Sequence, residues 1–287
     1  MDKNTPHIKT VVISDCHNRE FVVKDLFDKI GLMDAEGNRA EGFKTIQLGD
    51  LLSLGYGEQE AQFLKWIRPF IDVQLCGNHC YPSIGPYPDS MMFQGYENRD
   101  IVAEQMLRSE FNKARMENDP NLWIAATHVG DWLISHAGAS IQVQKELGIG
   151  KTAKEYADQL NDLWIDHIVN KTPEPIFINT SEHMGGIFWH RIQYLRAGYR
   201  AQHVNQIVGH SPFDRNQKFN PPAIQNKDGN LWCIDTLGSC AALVTEDDGE
   251  TWNLVESDYE VRFWENKDGQ RNGGPIYVRG TDERAFV

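Results

Sequence analysis

Five short segments of the chain combine residue types that bind metal ions. They are Asp15-Cys16-His17, Gly49-Asp50, Gly77-Asn78-His79, His136-Ala137-Gly138 and Gly209-His210. Carboxylate, amide oxygen and imidazole are ligands that hold divalent ions such as manganese, iron or zinc. One carboxylate that bridges two ions would place them roughly 3.5–4 Å apart, which is the spacing of hydrolytic two-metal sites. The segments therefore predict hydrolytic chemistry at a metal centre.

Each of the five segments follows a strand-like run of residues. The first three runs lie at residues 10–14, 43–48 and 71–76, and helical patterns lie between them at residues 18–32, with Asn18 as N-cap, and 57–70. This alternation predicts parallel strands joined by right-handed helical crossovers. Because ligands gather at the carboxyl ends of strands in open α/β sheets, we expect the five segments to meet at one edge.

The rest of the chain continues with shorter elements. The pattern predicts a loop at 81–96 that could act as a lid, helices at 99–118 and 152–170, hairpins at 122–136 and 242–255, and strands at 205–208 and 231–234. The sequence contains no repeat and no low-complexity linker, which favours a single domain that spans residues 1–256. Residues 257–287 show weak patterning and many acidic side chains, so we interpret them as an acidic polar C-terminal extension.

Composition excludes several classes of protein. The 287 residues carry a net charge of −13, and no apolar run approaches the ~20 residues of a membrane-spanning helix. A chain this acidic does not offer the extended basic surface that binds nucleic acids. The first residues lack the pattern of a signal peptide, and the five cysteines form no C-x-x-C pair. We therefore expect a cytoplasmic protein with reduced thiols and no membrane partner.

The order of the motifs resembles that of one known family. The motifs read D-x-H, G-D, G-N-H, H-A-G and G-H-S-P, as in the calcineurin-like metallophosphoesterase superfamily, over about residues 11–238. Pro212 stands where the phosphodiesterase branches have a second histidine. The segments Phe188-Trp189-His190-Arg191 and Ile234-Asp235-Thr236 resemble the phosphoprotein-phosphatase branch, with its bacterial and bacteriophage members. The resemblance implies an α/β fold, specifically a four-layer α/β/β/α sandwich with mixed sheets.

The resemblance also implies a centre of two divalent ions. We expect manganese ahead of iron, zinc or nickel. The implied ligands are Asp15 and His17 for the first ion, Asp50 for both ions, and Asn78, His136 and His210 for the second ion. His128 lies close to His136 in the sequence and is the alternative imidazole at that position.

The remaining implied roles concern the substrate, a phosphate ester. Two bound cations would neutralise phosphate oxygens and lower the pKa of a water molecule, so that hydroxide attacks the phosphorus. The resemblance implies that His79 is the general acid toward the leaving oxygen and that Arg191 binds the phosphate. The implied reaction is hydrolysis of a phosphomonoester, as in a protein serine/threonine phosphatase.

Two positions depart from the branch pattern G-D-x-V-D-R-G. Ser53 replaces a carboxylate that supports the general acid, and Leu54 replaces a second phosphate-binding arginine. These departures leave two alternatives open. One is a nucleotide or RNA-end phosphodiesterase or pyrophosphohydrolase, similar to the diadenosine tetraphosphatases, and the other is a non-catalytic metal-binding module on the same fold. The intact His79 argues against the module, because a site without catalysis has no use for an acid that binds no metal.

Overall fold

The computed structural model describes residues 8–52, 60–86, 100–117, 119–178, 186–211, 224–236, 239–262 and 276–279. Within them the strands are β1 (Lys9–Ile13), β2 (Phe43–Gln47), β3 (Val73–Leu75), β4 (Leu122–Ile124), β5 (Ala126–Val129), β6 (Trp132–Ser135), β7 (Asn205–Val208), β8 (Ile224–Gln225), β9 (Leu231–Cys233), β10 (Ala241–Thr245), β11 (Asn253–Glu256), β12 (Tyr259–Arg262) and β13 (Ile276–Arg279). The α-helices are α1 (Glu20–Ile30), α2 (Glu60–Ile67), α3 (Tyr81–Ile84), α4 (Ile101–Met116), α5 (Ile141–Leu147), α6 (Ala153–Val169) and α7 (Ile192–Tyr194).

Two mixed sheets contain most of these strands. The first has the order β11-β10-β1-β2-β3-β4. Strands β1 to β4 run parallel to one another, and β10 pairs antiparallel with both β1 and β11. The second has the order β5-β6-β7-β9-β8, with a parallel centre formed by β6, β7 and β9. The predicted motifs come directly after parallel strands of both sheets.

The two sheets pack face to face because successive residues of a strand point to opposite faces. Val12 and Ile46 of the first sheet join Ile134 and Ile207 of the second in one fully buried apolar cluster. Helix α1 covers the outer face of the first sheet, and α6 and α7 cover the outer face of the second. The predicted four-layer α/β/β/α sandwich is confirmed.

The prediction that Asn18 caps the first helix is wrong. The N-cap of α1 is Arg19, and Asn18 lies in the preceding turn with a left-handed φ of 46°. Helix α1 ends at Ile30, and the φ of 75° at its C-cap Gly31 allows the Gly31 N–H to reach back to the carbonyls of Phe27 and Asp28. Helix α1 therefore begins one residue later than the pattern predicts, and the turn before it carries two of the predicted ligands.

The prediction of one hairpin over residues 122–136 is wrong in its first part. Strand β4 joins the first sheet, and β5 and β6 form a hairpin in the second sheet. The chain crosses between the sheets at Ala125, where the side chain of Asn161 in α6 accepts the N–H groups of Ala125 and Ala126 at 2.9 and 3.1 Å. These bonds satisfy the backbone groups that strand pairing would have satisfied.

The other predicted elements agree with the structure within a few residues. The helices at 99–118 and 152–170 correspond to α4 and α6, and the hairpin at 242–255 to β10 and β11. Helix α2 begins at Glu60 and continues as a 3₁₀ turn, while residues 57–59 lie outside the described residues. The predicted loop begins with helix α3 instead, and residues 87–96 lie outside the described residues.

The segment that begins at Ser257 first contacts helix α1. Ser257 Oγ and Asp258 N donate to Asp25 Oδ2 at 2.7 and 2.8 Å, and Lys29 pairs with Asp258 at 2.5 Å. Strands β12 and β13 then pair antiparallel with each other. The domain boundary at residue 256 stays a prediction. Among the described residues, no helix is long and apolar enough to cross a membrane.

Candidate metal centre

Asp50, at the turn after β2, lies at the centre of the predicted ligands. Its Oδ1 accepts the backbone N–H of His79 at 2.9 Å, and its Oδ2 lies 3.2 Å from His136 Nε2 and 3.8 Å from His79 Nε2. Burial alone would raise the pKa of Asp50, but the neighbouring imidazoles of His136 and His79 outweigh it and lower the pKa below the usual range. Asp50 is therefore an ionised, buried carboxylate that faces two imidazoles and a backbone N–H.

Asn78, after β3, connects the two sheets. Its Oδ1 lies 2.9 Å from His136 Nε2 and 2.8 Å from His210 Nδ1. His136 follows β6 and His210 follows β7, so both imidazoles come from the second sheet whereas Asn78 comes from the first. The structure thus brings together the three residues that the sequence predicts for the second ion.

The orientation of His136 directs its Nε2 at two oxygen atoms of predicted ligands. Nδ1 lies 2.9 Å from the carbonyl oxygen of Leu48 and therefore carries the proton that it donates there. In a neutral ring the lone pair of Nε2 then faces Asn78 Oδ1 and Asp50 Oδ2. Burial lowers the pKa of His136, but the Asp50 and Asp15 carboxylates outweigh it and raise the pKa to about 9. The site therefore favours a positive charge at this point, and a divalent ion would supply it.

Asp15 and His210 each present a buried atom that could bind such an ion. Asp15 Oδ2 accepts the backbone N–H of His210 at 2.8 Å. Asp15 Oδ1 and His210 Nε2 are buried and have no hydrogen-bond partner within the described part of the chain. Burial and the nearby Asp235 carboxylate raise the pKa of Asp15 well above its usual range, and burial lowers the pKa of His210, which keeps that ring neutral. Both groups fit a divalent cation.

Two groups of donor atoms are compact enough to hold an ion each. Asp50, His136 and His210 form one group, and His17, Asp50 and His79 form the other, with all donor atoms of a group within 4.8 Å of one another. Asp50 belongs to both groups, as expected of a bridging ligand. The second group contains His79, which the resemblance assigns to acid catalysis.

The backbone of the ligand turns is unusual. His17, Asp50 and His210 have left-handed φ values of 48°, 53° and 64°, which residues other than glycine rarely adopt. The preceding glycines allow the close approach of neighbouring turns, since a Cβ on Gly77 would overlap Asp50 Oδ1 and one on Gly209 would overlap Asp15 Oδ1. Strain of this kind is concentrated at functional sites. The glycines that precede Asn78 and His210 are therefore packing requirements.

His79 and Arg191 lie at the edge of the donor groups. The rings of His17 and His79 meet edge to face with centroids 4.9 Å apart. Burial lowers the pKa of His79, Asp50 opposes this effect, and His136 and Arg191 lower the pKa further. Arg191 stands at the N-terminus of α7, and its charge also contributes to the low pKa of His210, for which burial is the larger cause. Both predicted catalytic residues therefore lie close to the predicted ligands.

Three further residues that the sequence singles out are His128, Ser53 and Leu54. His128, in β5, is not in the donor groups and lines a separate polar pocket of about 320 Å³ with Thr10 and Lys44, at the amino ends of β1 and β2. Ser53 and Leu54 lie outside the described residues.

Sequence reasoning missed the buried polar residues that support the ligand turns. Gln206, in β7, accepts the N–H of Ala139 at 2.8 Å and donates to its carbonyl at 3.0 Å, which fixes the turn after His136. Gln47, in β2, makes similar bonds to Gly49. Both lie in short strands that contain other polar residues as well, so the local sequence gives little signal of their burial.

Comparison with known proteins now places the chain in a family. The model of the calcineurin-like phosphoesterase family matches residues 8–236. No curated protein sequence matches the chain. Among solved structures, a cold-active protein-tyrosine phosphatase of a psychrophile Shewanella sp. has a TM-score of 0.54 at 18% identity over 92% of this chain and 80% of that chain. A protein serine/threonine phosphatase from Saccharomyces cerevisiae has a TM-score of 0.46 at 13% identity over 89% of this chain and 81% of that chain.

At these identities the structural likeness concerns the fold alone, and the family match covers most of the chain. The described geometry agrees with that match, because candidate metal-ligand groups lie where the five motifs meet. The chain belongs to the calcineurin-like phosphoesterase family and is a phosphoester hydrolase.

Proposed function

We propose that the chain hydrolyses phosphomonoesters at a centre of two divalent ions. The observation that carries the proposal is the position of Asp50, the one residue shared by the two compact donor groups among the described residues. When bound, two ions would neutralise phosphate oxygens and lower the pKa of a water molecule to near neutrality. Asp15, His17 and Asp50 would hold the first ion, and Asp50, Asn78, His136 and His210 the second.

His79 is the proposed proton donor to the leaving oxygen. Its side chain is 24% exposed, whereas that of Asp50 is 2% exposed, so His79 can reach a bound substrate. The His79 imidazole lies beside Oδ2 of Asp50, while the backbone N–H of His79 donates to Oδ1 of the same carboxylate. Arg191 would bind the phosphate, since a guanidinium offers a planar fork of donors to its oxygens.

The first experiment tests the requirement for metal. Protein stripped with a chelator should be inactive toward an aryl phosphate, and Mn²⁺ should restore activity as two ions bind per chain. Elemental analysis after gel filtration measures the stoichiometry. Full activity in excess chelator would remove the metal centre from the proposal, and Mn²⁺ binding without hydrolysis of any phosphate ester would support the non-catalytic module.

The second experiment addresses the substrate. Leu54 stands where the phosphatase branch has a second phosphate-binding arginine, and this departure favours a nucleotide or RNA-end diester or pyrophosphate as the second candidate. Rates should be compared for an aryl monoester, an aryl diester, a phosphopeptide, a cyclic nucleotide and a dinucleoside polyphosphate with Mn²⁺. A higher kcat/KM for the monoester and phosphopeptide is the expected result. Manganese as the resident metal and a cytoplasmic location stay predictions.

A further inference from the structure

A fully buried glutamine beneath the site is bonded to two of the ligand turns. Gln47 Oε1 accepts the N–H of Gly49 at 2.8 Å, and Nε2 donates to the carbonyl of Gly49 at 2.6 Å and to that of Ser14 at 3.2 Å. Gln74 Nε2 also donates to Gln47 Oε1. The amide of Gln47 thus has partners for both of its polar atoms, and all of them are buried.

These bonds act on the residues that directly precede two predicted ligands. Gly49 precedes Asp50 and has a φ of 103°, a conformation that glycine can leave easily because it has no side chain to restrict it. Ser14 precedes Asp15, on the neighbouring strand. One amide therefore fixes both peptide groups of a flexible glycine and connects its turn to the turn that carries Asp15.

We propose that Gln47 is a positioning residue that sets the direction of the Asp50 and Asp15 carboxylates toward bound metal. This inference rests on the proposed metal-dependent function. Residues that orient metal ligands from behind typically contribute 10–100-fold, as an order of magnitude, to metal affinity. Gln47 is part of no donor group within the described residues, so its effect would pass entirely through the two turns.

A second buried glutamine, whose bonds go to no ligand turn, offers a matched control. Gln144, in α5, accepts the N–H of Gln202 at 2.8 Å and donates to the carbonyl of Gln202 at 2.7 Å. It also donates to the hydroxyl of Tyr156 at 2.9 Å. The same substitution can therefore be made in the same kind of backbone bond, at a turn that carries no predicted ligand.

The test replaces Gln47 by glutamate. In Gln47→Glu one carboxyl oxygen can still accept from Gly49, but the other faces two carbonyl oxygens and must carry a proton to bond with them. Burial among these oxygens should raise the pKa of the new carboxyl well above the ordinary value of about 4.3. Protonated, the variant keeps the turn in place, whereas ionised it repels the Gly49 carbonyl and displaces Asp50.

The readout is the Mn²⁺ dissociation constant by titration calorimetry, expressed as the ratio of variant to wild type at each pH. For Gln47→Glu the ratio should lie near one at about pH 6 and rise roughly tenfold by about pH 8.5. For Gln47→Leu it should be raised about 10–100-fold at both pH values. For Gln144→Glu it should not change with pH. Circular dichroism checks that each variant is folded, and the change of the Gln47→Glu ratio between the two pH values serves as the test if Gln47→Leu does not fold.

Wild-type affinity at about pH 8.5 in the Gln47 variants that fold would overturn the proposal, as would the same pH-dependent ratio in Gln144→Glu. If the wild-type chain binds no Mn²⁺, the proposed function fails separately. Amide hydrogen exchange of residues 46–52 in metal-free protein then tests the positioning alone. Faster exchange in Gln47→Leu supports it, and unchanged exchange overturns it.

Discussion

The structure buries carboxylates in two regions, and the pKa values of Asp50 and Glu60, one from each region, are shifted in opposite directions. Asp50 is surrounded by imidazoles and a backbone N–H, which keep its pKa low in spite of burial. Glu60, at the start of α2, accepts one N–H from Asp100 at 3.4 Å, and burial raises its pKa to about 7. Burial therefore favours protonation of Glu60, whereas the positive groups around Asp50 keep that carboxylate ionised.

Asp15 belongs to the metal region but resembles Glu60 in this respect. Burial and Asp235 raise its pKa, and one of its oxygens has no hydrogen-bond partner among the described residues. His136 also lowers the pKa of Asp15, but burial and the Asp235 carboxylate outweigh it there, whereas at Asp50 the imidazoles outweigh burial. We infer that the first ion site depends more on the metal itself for its charge balance than the second does.

The largest expected effect is that of Asp50→Asn. The variant keeps an oxygen for the N–H of His79 but loses the charge shared by both donor groups. The kcat/KM for an aryl phosphate with Mn²⁺ should fall by about 10⁴-fold or more, to the level seen with chelator, because two-metal activation supplies several kcal/mol. Bound metal, measured by elemental analysis, should fall as well.

Asp247→Asn is the matched control for this loss. Asp247 is also a strongly hydrogen-bonded carboxylate, with the hydroxyls of Thr245 and Thr251 at 2.7 and 2.6 Å, but it lies in the hairpin of β10 and β11. Its replacement should leave kcat/KM unchanged. An active Asp50→Asn enzyme would show that the buried charge of Asp50 is not what activates the substrate.

His79→Asn separates the charge of the metal region from its proton chemistry. If His79 is the general acid, kcat should fall by roughly 10²–10⁴-fold while bound metal stays at the wild-type level. The decline of kcat as pH rises through the pKa of His79 should also disappear. If His79 is a ligand of the donor group that it shares with His17 and Asp50, metal content should fall instead.

His128→Asn is the control for that substitution. The sequence leaves His128 open as the imidazole ligand in place of His136. The structure puts His128 in the separate pocket that Lys44 also lines. Wild-type kinetics and metal content are expected. Loss of metal in this variant would contradict the placement of His136 in the donor group.

The ligand turns could be predicted from the sequence because the same residues satisfy two requirements. Asp50, for example, must be a carboxylate for metal chemistry, and it must follow a glycine at the end of a strand for the turns to approach one another. Both requirements leave a trace in the local sequence. The support from Gln47 and the crossing of the chain at Ala125 leave almost none, since their partners are backbone atoms that only tertiary folding brings into reach.

Metal binding should stabilise the fold through the same region. At a Mn²⁺ concentration 100 times the dissociation constant, the free energy of unfolding should rise by about 2.7 kcal/mol for each ion bound, because the ions bind only the folded chain. Urea denaturation with and without Mn²⁺ measures this gain. Asp50→Asn should show little of it, and an equal gain in that variant would place the stabilising ions elsewhere on the chain.

Glu60 shows how sequence can mislead about charge. An acidic residue in the first turn of a helix ordinarily interacts favourably with the helix dipole, and Glu60 looks like one. In the structure it is 2% exposed, and its Oε1 has no hydrogen-bond partner within the described part of the chain. The burial depends on how α2 packs near the start of α4, which periodicity does not indicate.

The smallest expected effect is that of Glu60→Gln, and it concerns pH. Because folding raises the pKa of Glu60 from about 4.3 to about 7, this residue favours the folded state below about pH 4.3, and that contribution is lost as pH rises through about 7. Glu60→Gln cannot lose a proton there. Relative to wild type, the free energy of unfolding of the variant should therefore increase between about pH 5 and about pH 8, by on the order of 1 kcal/mol.

Urea denaturation of metal-free protein at several pH values measures this difference, and Glu117→Gln provides the control. Glu117 follows α4 with a side chain that is 60% exposed, so its replacement should leave the pH dependence of wild type intact. Identical pH dependence in wild type and Glu60→Gln would mean that Glu60 stays ionised when buried. The contrast between the two regions would then lie in hydration around α2 and not in the absence of positive partners there.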